Sequence, residues 1–207
     1  MRILHVVAEG LIPSLCAACG RSCRAEAAVC TRCGRRLAAA EPLASPGPPG
    51  IDRAWSSASY EDVARDLVAA LKFCRLLPVA GLIADRVLWL APSELLSGTI
   101  VPVPTAPLRS FARGFDPAAE IAAALADRTS LPLRPCLVRQ GGGRQVGKRR
   151  AQRIGHPPLI RTKGEVPRSV LLIDDVLTTG ATLSSCARTL RAAGAVRIVA
   201  ITFARRL

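Results

Sequence analysis

The sequence predicts an α/β protein, a doubly wound and mainly parallel sheet preceded by a small four-cysteine, zinc-ribbon-like module. Three observations lead there. Residues 170–173, Val-Leu-Leu-Ile, form an apolar run without polar alternation, as a strand covered on both faces requires, and the run ends in Asp174 and Asp175. Segments with helical spacing alternate with short strand-like runs, the pattern of a doubly wound sheet. Four cysteines stand as two Cys-x-x-Cys pairs ahead of all of these.

Composition narrows the class. The 207 residues are half hydrophobic, enough for one full domain and a small appendage. No apolar run reaches the ~18 residues of a membrane helix, because Asp85 and Arg86 interrupt residues 79–92, so no membrane insertion is expected. Residues 1–15 are apolar, but His5 and Glu9 interrupt them and no small-x-small cleavage site follows. They read as an amphipathic first helix of a cytoplasmic protein. The net charge of +14 favours polyanionic partners, nucleic acid among them. The same excess, carried by 26 arginines among 29 basic residues in an Ala-rich chain, also follows from codon bias in a GC-rich genome, and both explanations stay open. Aromatic residues make up only 3% of the chain, so base stacking has few places to occur.

In chain order, Cys16, Cys19, Cys30 and Cys33 form two knuckles ten residues apart, each followed by a glycine, Gly20 or Gly34, suited to a tight turn. Four thiolates in this spacing predict a tetrahedral structural zinc. About thirty residues bury little apolar surface, so the metal would supply much of the folding energy. Disulfides fit poorly in a cytoplasmic chain, and a redox motif would occur once beside a strand. Cys23 reads either as a substitute ligand or as a free, partly buried thiol, whereas Cys74, Cys136 and Cys186 read as core. Pro42, Pro46, Pro48, Pro49 and two glycines make residues 39–50 an irregular linker between a module at 1–38 and a domain at 51–207.

Residues 59–72 carry Val63, Ala64, Leu67, Val68 and Leu71 at helical spacing, with Ser59 as cap and Glu61 and Asp62 in the first turn. A second helix is expected over 79–90, and both should pack on one face of the sheet. Residues 99–103 form a strand that Pro102 and Pro104 force into an extended exit. A loop with Arg109, Arg113, Gly114 and Phe115 follows. Asp116 then caps a helix over 117–127 with Pro117 at its first position. Residues 135–139 read as a short strand, and 140–153 as a glycine-rich, strongly basic loop containing Gln145, Lys148, Arg149, Arg150 and Arg153. After the 170–173 strand, a helix over 183–193 ends at Gly194 and a last strand runs over 196–203.

The chemistry concentrates beyond residue 173. Asp174 and Asp175 fall at the carboxyl end of a buried parallel strand, where ligands of such sheets bind. Residues 178–182 offer backbone N–H groups and three hydroxyls at the positive end of a helix, which suits a phosphate monoester. The carboxylates would repel that phosphate, so they suit sugar hydroxyls or a magnesium ion nearby. No Gly-Lys-Ser/Thr follows a strand, which excludes a Walker-type loop. One ligand carrying all these groups is a phosphorylated ribose with a metal-bound pyrophosphate.

The stretch from Val170 to Thr182 resembles the phosphoribosyl pyrophosphate (PRPP) signature of type I phosphoribosyltransferases. The resemblance implies a phosphoribosyltransferase-like fold in which Asp174 and Asp175 contact ribose hydroxyls and Thr178, Thr179, Gly180, Ala181 and Thr182 hold the ribose phosphate. Ala181 stands where many members have a second glycine. The order of the cysteine module, Leu71-Lys72-Phe73, Val101-Pro102-Val103-Pro104, Arg113-Gly114-Phe115 and the signature is similar to that of ComF proteins, which are linked to DNA uptake in bacterial competence. That resemblance implies zinc on the cysteines, magnesium with PRPP, and single-stranded DNA and competence-machinery proteins as partners. It puts Val103, Pro104 and Thr105 on the pyrophosphate side with Arg109 and Arg113 nearby, and makes Gln145, Lys148, Arg149 and Arg153 part of a flexible loop. Asp116-Pro117 departs from the usual Asn-Gln pair, and His156 from the expected Asn. The expected function is PRPP binding coupled to DNA handling; the alternatives are an active transferase acting on a nucleobase or amine, and a PRPP-sensing regulator. No base-binding hood is recognisable in the sequence.

Overall fold

Along residues 170–173, alternate side chains enter two different cores: Val170 and Leu172 join one apolar cluster, Leu171 and Ile173 the other. A strand buried on both faces must divide its side chains in this way. The computed structural model describes residues 14–24, 27–140 and 158–207. In chain order they form β1 (Ser14–Leu15), β2 (Ser22–Cys23), α1 (Thr31–Ala38), β3 (Leu43–Ser45), β4 (Arg53–Ser59), α2 (Asp62–Cys74), α3 (Pro78–Leu90), β5 (Thr99–Pro102), α4 (Pro107–Arg113), α5 (Pro117–Thr129), β6 (Leu137–Arg139), β7 (Ile160–Thr162), β8 (Ser169–Leu177), α6 (Ala181–Ala192) and β9 (Arg197–Arg205).

The main sheet has the order β3-β4-β9-β8-β5, parallel throughout except for β3. One face is covered by α2, α3 and α5 through Leu67, Leu71, Ile83, Ile121 and Leu125. The other is covered by α6 and by the β6–β7 hairpin, through Leu183, Leu190, Leu137 and Ile160. Outside β5, Leu133 forms a parallel bridge with Ile100, so the chain leaving β5 through α5 steps outward. The chain leaving β8 through α6 steps inward to β9. Winding therefore reverses between β5 and β8, the place where open α/β sheets form their ligand crevice.

Several expectations are corrected. Ser14 and Leu15, expected in a first helix, pair as a strand with β2. The proline-rich stretch expected to be irregular contains β3, which pairs with β4 through Leu43↔Ser56 and Ser45↔Ala54. Strand β4 itself escaped the sequence reading because its centre is Ser56-Ser57. Both serines are buried, and they satisfy their hydroxyls inside the sheet: Ser56 Oγ lies 2.6 Å from Thr202 Oγ1, and Ser57 Oγ donates to the Phe203 carbonyl at 2.7 Å. Helix α2 consequently starts at Asp62, since Ser59 still belongs to β4. The expected loop around Arg109 is helix α4, opened by Pro107 and closed by Gly114 in the left-handed region at φ +73°. The strand expected near 135–139 pairs with β7 outside the main sheet. Cys74, expected in the core, is exposed at the end of α2.

Candidate functional site

Strand β8 outlasts its neighbour. Pro102 pairs with Ile173 and Val103 N–H donates to the Ile173 carbonyl at 2.9 Å, after which the β5 chain turns away. On the other side β9 follows β8 to Leu177. A crevice opens beside Asp174 and Asp175, walled by Val103, Pro104, Thr105 and Ala106 and reached by Lys72, Arg113, Arg139 and Thr182.

The two acids differ in their surroundings. Asp175 is buried, and its Oδ1 accepts from Lys72 Nζ at 2.7 Å. Asp174 Oδ1 accepts the Asp175 backbone N–H at 2.8 Å. Burial, followed by the charge of Asp175, pushes the Asp174 carboxyl well above the usual carboxylate range, against the pull of that N–H and of Lys72.

Beyond the acids, residues 178–182 line a second small concavity, and Asp174 and Thr182 belong to both. Gly180 turns the chain at φ +74°, and a Cβ there would lie 2.7 Å from Pro48 Cβ, so glycine is required. Ala181 N–H points to Thr179 Oγ1 at 3.4 Å and opens the twelve-residue α6. Ala181 has ordinary helical backbone and an exposed side chain, so a second glycine is not needed at this position. The positive end of α6 faces the concavity.

The other wall is tied by Asp116. Its carboxylate accepts from Thr105 N–H at 2.9 Å and from Thr105 Oγ1 at 3.0 Å, while it caps α5 through Ala118 N–H at 3.0 Å. The departure from Asn-Gln thus ties the Val103–Thr105 turn to the start of α5. The short motifs Leu71-Lys72-Phe73 and Arg113-Gly114-Phe115 interlock at the rim: the Arg113 guanidinium lies 5.3 Å from the Phe73 ring centre, and Arg75 lies 5.9 Å from that of Phe115.

Asp174, Asp175, Thr182, Val103, Pro104, Thr105 and Arg113 therefore meet at one crevice, with Thr178, Thr179, Gly180 and Ala181 alongside. Arg109 belongs to α4. Gln145, Lys148, Arg149, Arg153 and His156 lie outside the described residues. Sequence reasoning missed Lys72 and Arg139 as site residues. Their signals were slight: a lysine closing an amphipathic helix, and an arginine ending a short strand before the glycine run.

At the N-terminal end, the sulfur atoms of Cys16, Cys19, Cys30 and Cys33 lie within 4.8 Å of one another. Each knuckle closes the same way, Gly20 N–H donating to the Cys16 carbonyl at 2.8 Å and Gly34 N–H to the Cys30 carbonyl at 2.9 Å. Only Gly20 adopts a positive φ; Gly34 lies within α1, so the second knuckle runs directly into a helix. Four convergent thiols can hold a metal such as zinc. Cys23 stays outside the set and donates to the carbonyls of Ser14 and Ala27 at 3.2 and 3.3 Å.

No protein-family model and no curated protein matches the sequence. Among solved structures the chain is similar to orotate phosphoribosyltransferase from Aeropyrum pernix, with 26% identity, coverage of 63% of each chain and a TM-score of 0.39. It is also similar to glutamine PRPP amidotransferase from B. subtilis, with 21% identity over 59% of this chain and 24% of that one and a TM-score of 0.38. A purine phosphoribosyltransferase from Pyrococcus horikoshii gives 19% identity over 62% of this chain and 82% of that one, with a TM-score of 0.36. The chain spans 63% of the length of the first and about a quarter of the second. Likeness at this level assigns neither activity nor ligand, and the functional reading rests on the residues of the crevice.

Proposed function

We propose that the protein binds PRPP or a related phosphoribosyl ligand in the crevice between β5 and β8. The observation that carries this reading is the continuity of two surfaces: Asp174 and Thr182 line both the acid-bearing crevice and the hydroxyl-rich concavity at the start of α6. The concavity suits the ribose phosphate, the acids suit the ribose hydroxyls, and Arg113 and Arg139 suit the pyrophosphate. Magnesium enters with the pyrophosphate, whose charge it partly neutralises. Zinc is the metal proposed for the four cysteines, with residues 1–38 as its module, 39–50 as the joining segment and 51–207 as the ligand domain.

Binding is the primary reading, as the ComF-like order of motifs implies. Pyrophosphate release with PRPP and a panel of bases would extend it to transfer. Single-stranded DNA is the proposed macromolecular partner, supported by the net charge of +14 and the ComF resemblance, with competence-machinery proteins as further candidates. Its affinity should fall steeply with salt. Calorimetry with PRPP and magnesium tests the pocket. Wild type should bind, and Asp174→Ala combined with Asp175→Ala should abolish the heat while the circular dichroism of the fold persists; binding retained by the double variant removes the acids from the site.

A further inference from the structure

We infer that Lys72 is the built-in counter-ion of the acid pair, occupying beside Asp175 the position a divalent cation would otherwise take, so that ribose phosphate is held without a metal on the protein's own carboxylates. The inference rests on the phosphoribosyl reading above and adds how its charge is balanced. The Asp175 carboxylate beside a phosphate dianion repels it, and any charge on Asp174 adds to that, unless a cation intervenes. The structure supplies one from the chain itself: Lys72 Nζ lies 2.7 Å from Asp175 Oδ1, and the two side chains are only 23% and 10% exposed. An ammonium held this close and this dry is screened little by solvent. A metal bound at Asp175 Oδ1 would have to displace it.

The placement of Lys72 is prepared by its neighbours. It lies in the last turn of α2, where the negative end of the helix favours a cation. The adjacent Leu71 is fully buried and anchors the turn carrying the ammonium on its core side, while the exposed Phe73 lies 5.3 Å from the Arg113 guanidinium at the rim. Asp174 is left differently engaged. It accepts one backbone N–H and lines the crevice, which leaves lone pairs for sugar hydroxyls. Lys72 thus acts as a positioning and charge-balancing residue.

Ribose 5-phosphate is the discriminating probe, because it lacks the pyrophosphate that would bring magnesium with it. Calorimetry in EDTA and again in millimolar magnesium should give the wild-type protein the same affinity in both buffers. Lys72→Ala should weaken binding roughly tenfold or more in EDTA and recover much of it in magnesium, while Lys72→Arg, which keeps the charge, should stay indifferent to metal. Wild-type binding that requires magnesium, an unaltered affinity of Lys72→Ala in EDTA, or a loss that magnesium does not restore overturns the inference. If Lys72→Ala fails to fold, Lys72→Gln retains the stem and a donor without the charge and carries the same comparison. Failure of wild type to bind ribose 5-phosphate or PRPP in either buffer is a different result, which removes the phosphoribosyl reading itself.

Discussion

Asp174 stands where burial and a second carboxylate both oppose its charge. Its proton is therefore held more tightly in the folded chain than in the unfolded one, and the sign of the pH effect follows. Stability is fullest below the ordinary carboxylate value and declines as pH rises from there through the raised folded value. Asp174→Asn should remove that decline. We expect it to raise the melting temperature at neutral pH by roughly 2–4 °C and to have no such effect in acid, where the wild-type carboxyl is already protonated. Melts across pH check this, and a destabilised Asn variant at neutral pH would contradict it. The acids and the 178–182 loop were legible in sequence because they are consecutive and their types are unusual together. Lys72 was not, since its partner Asp175 is 103 positions away and only the fold joins them.

At the level of elements, Asp116 shows how one side chain serves two structures. It caps α5 and fixes the Val103–Thr105 turn through three hydrogen bonds. Asp116→Ala should cost about 1–2 kcal/mol of stability in denaturant titrations. It should also weaken PRPP more than ribose 5-phosphate, because the loosened turn is the one proposed for the pyrophosphate side; equal weakening of both ligands would refute that placement. Elements with a clear period or a strong cap, such as α3, α5 and β8, were readable. Helix α6 was too, with its left-handed Gly194 and the Ala195 N–H returning to the Leu190 carbonyl at 3.0 Å. Elements defined by tertiary pairing were not: β3 is three residues among prolines, β4 carries buried serines, and α4 is too short for a period to show. For β3 and β4, long-range strand pairing overrode the local pattern.

Across the whole molecule, the cysteine module is joined to the sheet domain by packing as well as by chain. Cys16, Cys33 and Leu37 belong to the same apolar cluster as Leu67 and Ile83. Arg36 pairs with Asp62 at 2.5 Å, and Arg86 donates to the Ala40 and Ser57 carbonyls at 2.6 and 2.9 Å. Loss of the proposed zinc should therefore be felt throughout. The purified protein should carry about one zinc per chain, and Cys30→Ser or a strong chelator should lower the melting temperature by roughly 6–12 °C if about 3 kcal/mol is lost. The transition should remain single. Two separate transitions in calorimetry would show instead that the module unfolds independently.

The rims of the main sheet have a consequence for how the chain behaves when crowded. On one side the last strand, Leu43–Ser45, is three residues long and bracketed by Pro42 and Pro46. On the other, Ile100 is already engaged by Pro132 and Arg134, whose carbonyl and N–H complete its backbone bonds at 2.8 and 2.9 Å. Neither rim offers the long open ladder on which a neighbouring chain could lengthen the sheet. The main sheet is thereby shielded at both rims from edge-templated polymerisation while folded, and fibre growth through it would have to wait for one of these rims to peel away.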